Sequence, residues 1–216
     1  MKANPLIKLG LSGRWGLLLL LGTLMGSNFV ALPVQAAGVV GTGTPATCTE
    51  SAFDTALTGG GSVSFDCGGL KTIAVTNLKQ ISVDTTIDGS GIITLSATNT
   101  YFFQVFAANS LTLRNITLAN GSSSIAGAIE NFGTTTIIKS QLVNNHSLIN
   151  AGAIVNYGHL VLTDSTLSNN QAVNGGGVIY NDGGTVEATG SLFAGNKVTG
   201  PTGQGGASSI MPAASF

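Results

Sequence analysis

GAIENFG at residues 127–133, GAIVNYG at 152–158 and GVIYNDG at 177–183 are one motif written three times. Gly127, Gly152 and Gly177 stand 25 residues apart, and so do Asn131, Asn156 and Asn181. Downstream of each copy an apolar residue precedes an asparagine: Leu142 with Asn145, Leu167 with Asn170, Phe193 with Asn196. A fixed period in this range means stacked units, none of which can bury its apolar face alone.

Working outward, the apolar anchors Leu118, Leu142, Leu167 and Phe193 are spaced by 24, 25 and 26 residues. The last increment follows from the doubled Gly183-Gly184. Before each anchor, apolar residues alternate: Leu111 and Leu113, Ile137, Leu160 and Leu162, Val186 and Ala188. Period-two alternation in short runs separated by turns means strands with one buried face. About three such strands fit one repeat, as in one turn of a parallel β-helix. Upstream, strands are expected over 73–75, 81–83, at 87, over 92–95 and over 101–106, with a turn at Asp88-Gly89. The expected fold is all-β, a single-stranded right-handed parallel β-helix over 71–200.

The asparagines fall into two columns, Asn131, Asn156, Asn181 and Asn145, Asn170, Asn196. Stacked carboxamides at bends hydrogen-bond along a column and tolerate left-handed backbone. Each bond contributes around 1 kcal/mol. A polar binding stripe is the functional alternative. Coil-matched spacing favours structural ladders.

Composition agrees. Of 216 residues 31 are glycine, and only 8% are charged. Thr, Val, Ile, Ser and Asn form a strand-and-turn vocabulary. The first 36 residues read as a secretory signal peptide. Lys2, Lys8 and Arg14 precede an apolar stretch over 17–25, and Val34-Gln35-Ala36 offers a small-residue cleavage site. Removal leaves five basic residues against nine acidic ones, a net charge of −4. That balance argues against nucleic-acid binding, which needs a basic stripe. No transmembrane span is expected after cleavage.

Residues 37–47 are small and polar and read as a flexible mature N-terminus. GTGTPA within them mimics a dinucleotide fingerprint, but no strand precedes it and Pro45 sits where a helix should open. Residues 48–70 read as a cap. Ala52, Phe53, Ala56 and Leu57 share one face of a short helix over 51–57 with Ser51 as its cap. Cys48 and Cys67 form the expected disulfide of an exported chain, worth about 3 kcal/mol. Residues 201–216 form an irregular tail. Gly205-Gly206-Ala207 stands where another repeat would open, as in a truncated version of a longer protein.

LVNNHSLINAGAI, LSNNQAVNGGGVI and LFAGNKVTGPTGQGGAS together resemble the repeats of the polymorphic outer membrane protein family. TTIDGSG with LTLRNITLANG resembles the entry region of exported right-handed parallel β-helix proteins of the pectin-lyase-like superfamily. The resemblance covers residues 48–210. It implies an exported protein, extracellular or on the outer-membrane surface, with adhesin-like or structural roles. Its partners would be surface glycans or other proteins. It also implies an alternative, a fragment of a polysaccharide lyase-like enzyme whose catalytic coils are missing.

The residues themselves supply no catalytic constellation. A lyase of this type wants clustered carboxylates for calcium and a nearby Arg or Lys base, and a glycosidase wants paired carboxylates across a groove. Glu130 has Val155 and Tyr180 in its column. Lys139 and Asp164 share a column and suggest a surface ion pair. Asp84 and Asp88 lie close, but Asp88-Gly89 reads better as a turn than as a calcium site. His146 and His159 have no telling partners. Asn115, Asn120 and Asn145 match the glycosylation sequon, which Ser/Thr-rich chains do by chance. No metal or cofactor is expected. Self-association is expected through an uncapped C-terminal coil.

Overall fold

The computed structural model describes residues 38–200. The signal peptide read over 1–36 and the tail over 201–216 lie outside the described residues. What is described is a parallel β-solenoid of about six turns with one short helix.

Three parallel sheets run along the stack. The longest path orders Gly38–Val40, Gly61–Phe65, Thr85–Ala97, Ser110–Ala119, Thr134–Ile138, His159–Thr163 and Thr185–Thr189. After each bend its later coils continue as Gln141–Val143, Thr166–Ser168 and Leu192–Ala194. A five-stranded sheet stacks Lys79–Ile81, Phe103–Val105, Ile129–Asn131, Ile154–Asn156 and Ile179–Asn181. A four-stranded sheet of two-residue strands closes the last four coils, from Ser122–Ser123 to Lys197–Val198. The spacings 24, 25 and 26 reappear as register: Thr134 pairs with Ser110 and His159, and His159 with Thr185.

Alternation puts one face of every strand inside. The inner columns are Ile87, Leu113, Ile137 and Leu162; Leu95, Leu118, Leu142 and Leu167; and Phe103, Ile129, Ile154 and Ile179. All are buried, and each such side chain contributes about 1.5–3 kcal/mol over an exposed one.

Several elements differ from their sequence reading. The segment 37–47 is not a loose N-terminus: Gly38–Val40 is a strand in register with residues 63–65. Val40 is fully buried, and Gly38 lets the helix backbone approach so closely that a Cβ would meet Ala56. The helix is Glu50–Leu57, and its N-cap is Thr49 rather than Ser51, because the Thr49 hydroxyl accepts the Ala52 N–H at 3.2 Å. The strand expected over 81–83 is Lys79–Ile81. Asp88-Gly89 does not end a strand. It opens a bulge inside Thr85–Ala97, and the left-handed residues are Ser90 and Gly91.

Left-handed backbone also falls elsewhere than expected. It belongs to Asn120, Asn144, Asn169 and Gly195, each one residue before Gly121 or a ladder asparagine, and to Asn115, Lys139, Asp164 and Gly190. The side chains of Asn145, Asn170 and Asn196 turn inward, so the tight bend is made by the residue ahead of each.

Candidate functional site

Two regions concentrate polar chemistry. The first joins the helix to the first coil. Cys48 and Cys67 are disulfide-bonded, with Cα atoms 5.7 Å apart. Phe53 packs against Phe65 and Phe103, with centroids at 5.8 and 6.5 Å. Glu50, acidic in the first helical turn, reaches across to the next loop. Its carboxylate accepts Thr76 N–H at 2.9 Å, the Thr76 hydroxyl at 2.7 Å and Asn77 N–H at 3.0 Å. Lys79 Nζ lies 2.6 Å from both Glu50 and Asp54. Burial acts to raise the Glu50 carboxyl, but the Lys79, Thr76 and Asn77 hydrogen bonds outweigh it and hold it at about 2. These residues fasten elements to one another.

The second region is the outer face of the five-stranded sheet. Its outward column runs Gln80, Gln104, Glu130, Val155, Tyr180. Beyond the inward Asn131, Asn156 and Asn181, a second outward column holds Phe132, Tyr157 and Asp182, spaced by 25. Phe132 and Tyr157 stack with centroids 4.9 Å apart and planes 10° from parallel. Glu130 is only 6% exposed. Its Oε2 accepts the Tyr101 hydroxyl at 3.0 Å and Gln104 Nε2 at 2.8 Å. Burial, the Glu130 charge and that hydrogen bond all push the Tyr101 phenol up. Tyr157 is raised too, by burial first and then by Glu130, Asp182 and Tyr180.

The asparagine columns run along the stack as hydrogen-bonded ladders. Asn131 Nδ2 donates to Asn156 Oδ1 at 2.7 Å, and Asn156 Nδ2 to Asn181 Oδ1 at 2.6 Å. Asn145 donates to Asn170 at 2.9 Å, and Asn170 to Asn196 at 3.0 Å. Thr135 is buried in the inner column of Leu111, Leu160 and Val186, and its hydroxyl is satisfied by Asn131 Oδ1 at 2.8 Å. Gly127 and Gly152 are required by approach rather than by φ. A Cβ on either would lie about 2 Å from the carbonyl oxygen of the next repeat glycine.

The remaining candidates fall apart as sites. Lys139 and Asp164 are neighbours by register, but no ion pair joins them: the Asp164 carboxylate lies over Gly190 of the following coil, where a Cβ would meet it. Asp84 accepts the Ser110 N–H, and Asp88 accepts Ser90 N–H and Asn115 Nδ2. His159 Nδ1 lies 2.6 Å from the Thr185 hydroxyl, and His146 stacks in the short sheet between Ser122 and Gln171. The sequon at Asn145 is fully buried. Among the described residues no three of His, Cys, Asp and Glu gather as a metal site, and no helix is long and apolar enough to cross a membrane.

Two features escaped the sequence reading. Ser140, Ser165 and Ser191 form a third ladder, each hydroxyl accepting the N–H of the residue one coil earlier, Ile116, Ser140 and Ser165. Their spacing of 25 and 26 was visible as a signal. The Tyr101–Glu130 pair had none, because Tyr101 lies before the clean repeat. No family model, curated protein or solved structure matches this chain.

Proposed function

We propose that this chain is an exported, right-handed, non-catalytic β-helix of the polymorphic outer membrane protein type, serving adhesion or acting as a structural spacer at the cell surface. The observation that carries the reading is where the polar side chains go. The ladder asparagines and serines bond along the stack. Glu50, Asp84, Asp88 and Glu130 are each engaged by backbone or neighbouring side chains. Such a molecule offers long, regular outer faces. The helix Glu50–Leu57, held by the disulfide and by Lys79, acts as the N-terminal cap that a repeat stack needs. Fold analogy alone assigns no activity.

The test has two arms. Exported protein should begin at Ala37 on N-terminal sequencing, and an intact Met1 terminus would overturn export by cleavage. Beads coated with purified chain should retain host cells or matrix glycoproteins above albumin-coated beads. Release of unsaturated product from polygalacturonate, with or without calcium, would transfer the reading to the lyase-like alternative.

A further inference from the structure

Glu130 is a buried carboxylate with no cation beside it. No ion pair involves it among the described residues, and its column neighbours are Gln104 and Val155. A buried carboxylate ordinarily has a charged partner. Here only one oxygen is satisfied. Oε2 takes both the Tyr101 and the Gln104 hydrogen bonds, while Oε1 accepts none. Oε1 also keeps contact with solvent, because no fully buried side-chain oxygen lacks a partner. Gln104 is itself oriented from behind by Gln80 Nε2 at 3.4 Å.

The surroundings are aromatic and negative. Two outward columns make a grid of three coils: Glu130 beside Phe132, Val155 beside Tyr157, Tyr180 beside Asp182. Coils in such a stack lie about 4.8 Å apart, so the two carboxylate-bearing rows are separated by roughly 10 Å. Val155 between them is fully buried, and the accessible apolar surface is that of Phe132, Tyr157 and Tyr180. Phe132 is 38% exposed and lies flat on Tyr157. Tyr157 and Tyr180 are half-buried, packed against the buried cluster of Tyr101, Ala126, Ala151 and Val155. No lysine or arginine stands in the grid. Aromatic faces with an open carboxylate oxygen attract a desolvated organic cation, which gains both a charge-assisted hydrogen bond and cation–π contact.

We propose that this face binds a cationic side chain, a lysine ammonium or an arginine guanidinium carried by a partner protein. Glu130 Oε1 is its acceptor, and the Phe132–Tyr157 aromatic stack stands beside it. The inference is independent of the adhesion reading: the face can bind such a group whether or not the whole chain adheres to cells. Cation and glycan are distinguished by charge, since an oligosaccharide would use the aromatic rings without needing the Glu130 charge.

The experiment is an amide chemical-shift titration of the purified chain at physiological salt. The probes are acetyl-Gly-Arg-Gly-amide and acetyl-Gly-Lys-Gly-amide, with acetyl-Gly-Glu-Gly-amide as counter-probe. Both basic tripeptides should shift the Val155, Tyr157 and Tyr180 amides, and the acidic one should not. Glu130→Gln should weaken binding about fivefold or more, and Tyr157→Leu about threefold. Asp66→Asn, on the exposed loop by the disulfide, should leave it unchanged. Glu130→Gln keeps a side-chain oxygen for Tyr101 and Gln104. Its folding is checked by superposition of the remaining amide signals, and Tyr157→Leu carries the test should it fail. Equal affinity in Glu130→Gln, equal shifts from the acidic tripeptide, or no shift from either basic one overturns the proposal. A neutral oligosaccharide that moves the same amides equally in wild type and Glu130→Gln also overturns it.

Discussion

Asn170 Oδ1 receives two hydrogen bonds from Asn145, one coil away: the side-chain Nδ2 at 2.9 Å and the backbone N–H at 3.0 Å. One oxygen thus satisfies both a side chain and a bend. The Asn145 amide group also donates back to Leu118 O at 3.2 Å, so Asn145 ties three coils together. The residue before it, Asn144, is chemically the same and does something else. It adopts φ +56 and supplies the left-handed corner.

That contrast gives the first prediction. Asn145→Ala removes buried hydrogen bonds and leaves Gly121 N–H without its acceptor. It should cost about 2–4 kcal/mol. Asn144→Ala forfeits only the tolerance of asparagine for left-handed backbone and should cost about 1 kcal/mol. Asn144→Gly should be close to neutral. Urea denaturation of the three variants checks this. Equal losses at 144 and 145 would contradict the assignment of corner and ladder.

A second prediction separates two kinds of glycine. Gly152 needs its missing Cβ for approach, since the carbonyl of Gly177 stands 2.0 Å from where a Cβ would be. Gly183 has φ +73 but open space around it. Gly152→Ala should therefore cost about 3 kcal/mol or more, by forcing two coils apart. Gly183→Ala should cost only about 1–2 kcal/mol. Thermal unfolding will decide, and a milder effect at 152 than at 183 would refute the stacking argument.

These contrasts also show how far the residues could be read before the fold was seen. The period, the inward columns and the spacings of 24, 25 and 26 were legible because each coil repeats the same burial problem. Asn145 and Asn170 announced themselves by spacing. Their division of labour with Asn144 and Asn169 did not, because the doubled asparagines are identical in chemistry and differ only in φ. Gly38–Val40 was hidden by composition. The glycines of its segment suggested a loose tail, whereas Gly38 serves close packing against Ala56 and Gly41 against the disulfide sulfur of Cys48. Glu130 was noted for lacking a second carboxylate. Its pairing with Tyr101 spans 29 residues into an irregular coil, where no period marks it.

Acid should loosen the N-terminal end. The Glu50 carboxyl is held at about 2 in the fold, below its ordinary value of 4.5. A depressed carboxylate contributes stability that is full above about 4.5 and is lost as pH falls through about 2. Glu50→Gln lacks that contribution. Its denaturation midpoint should lie below wild type at pH 7, and the gap should close between pH 4.5 and 2. A gap that stays constant across that window would mean that Glu50 acts by packing rather than by charge.

The last prediction concerns the other end. The strands Ile179–Asn181, Thr185–Thr189, Leu192–Ala194 and Lys197–Val198 each finish their path, so the described residues leave one edge of each unpaired there. Burial weakens toward this end. Leu160 and Leu162 are fully buried, whereas Val186 and Phe193, on the final coil, are only partly covered, and Leu192 is 57% exposed. Unpaired edges with apolar neighbours recruit other chains, and lysine on an edge strand is a common means of preventing it. Concentration-dependent association is therefore expected in sedimentation velocity of the purified chain. Leu192→Lys with Ala194→Lys should reduce it. Lysines on the opposite edge strand, for instance Val39→Lys, should leave it unchanged if association runs through the final coil. Should Val39→Lys suppress association as strongly, the contact would involve both ends, as in a head-to-tail stack. A monomer at every concentration would show that the final coil is covered in solution.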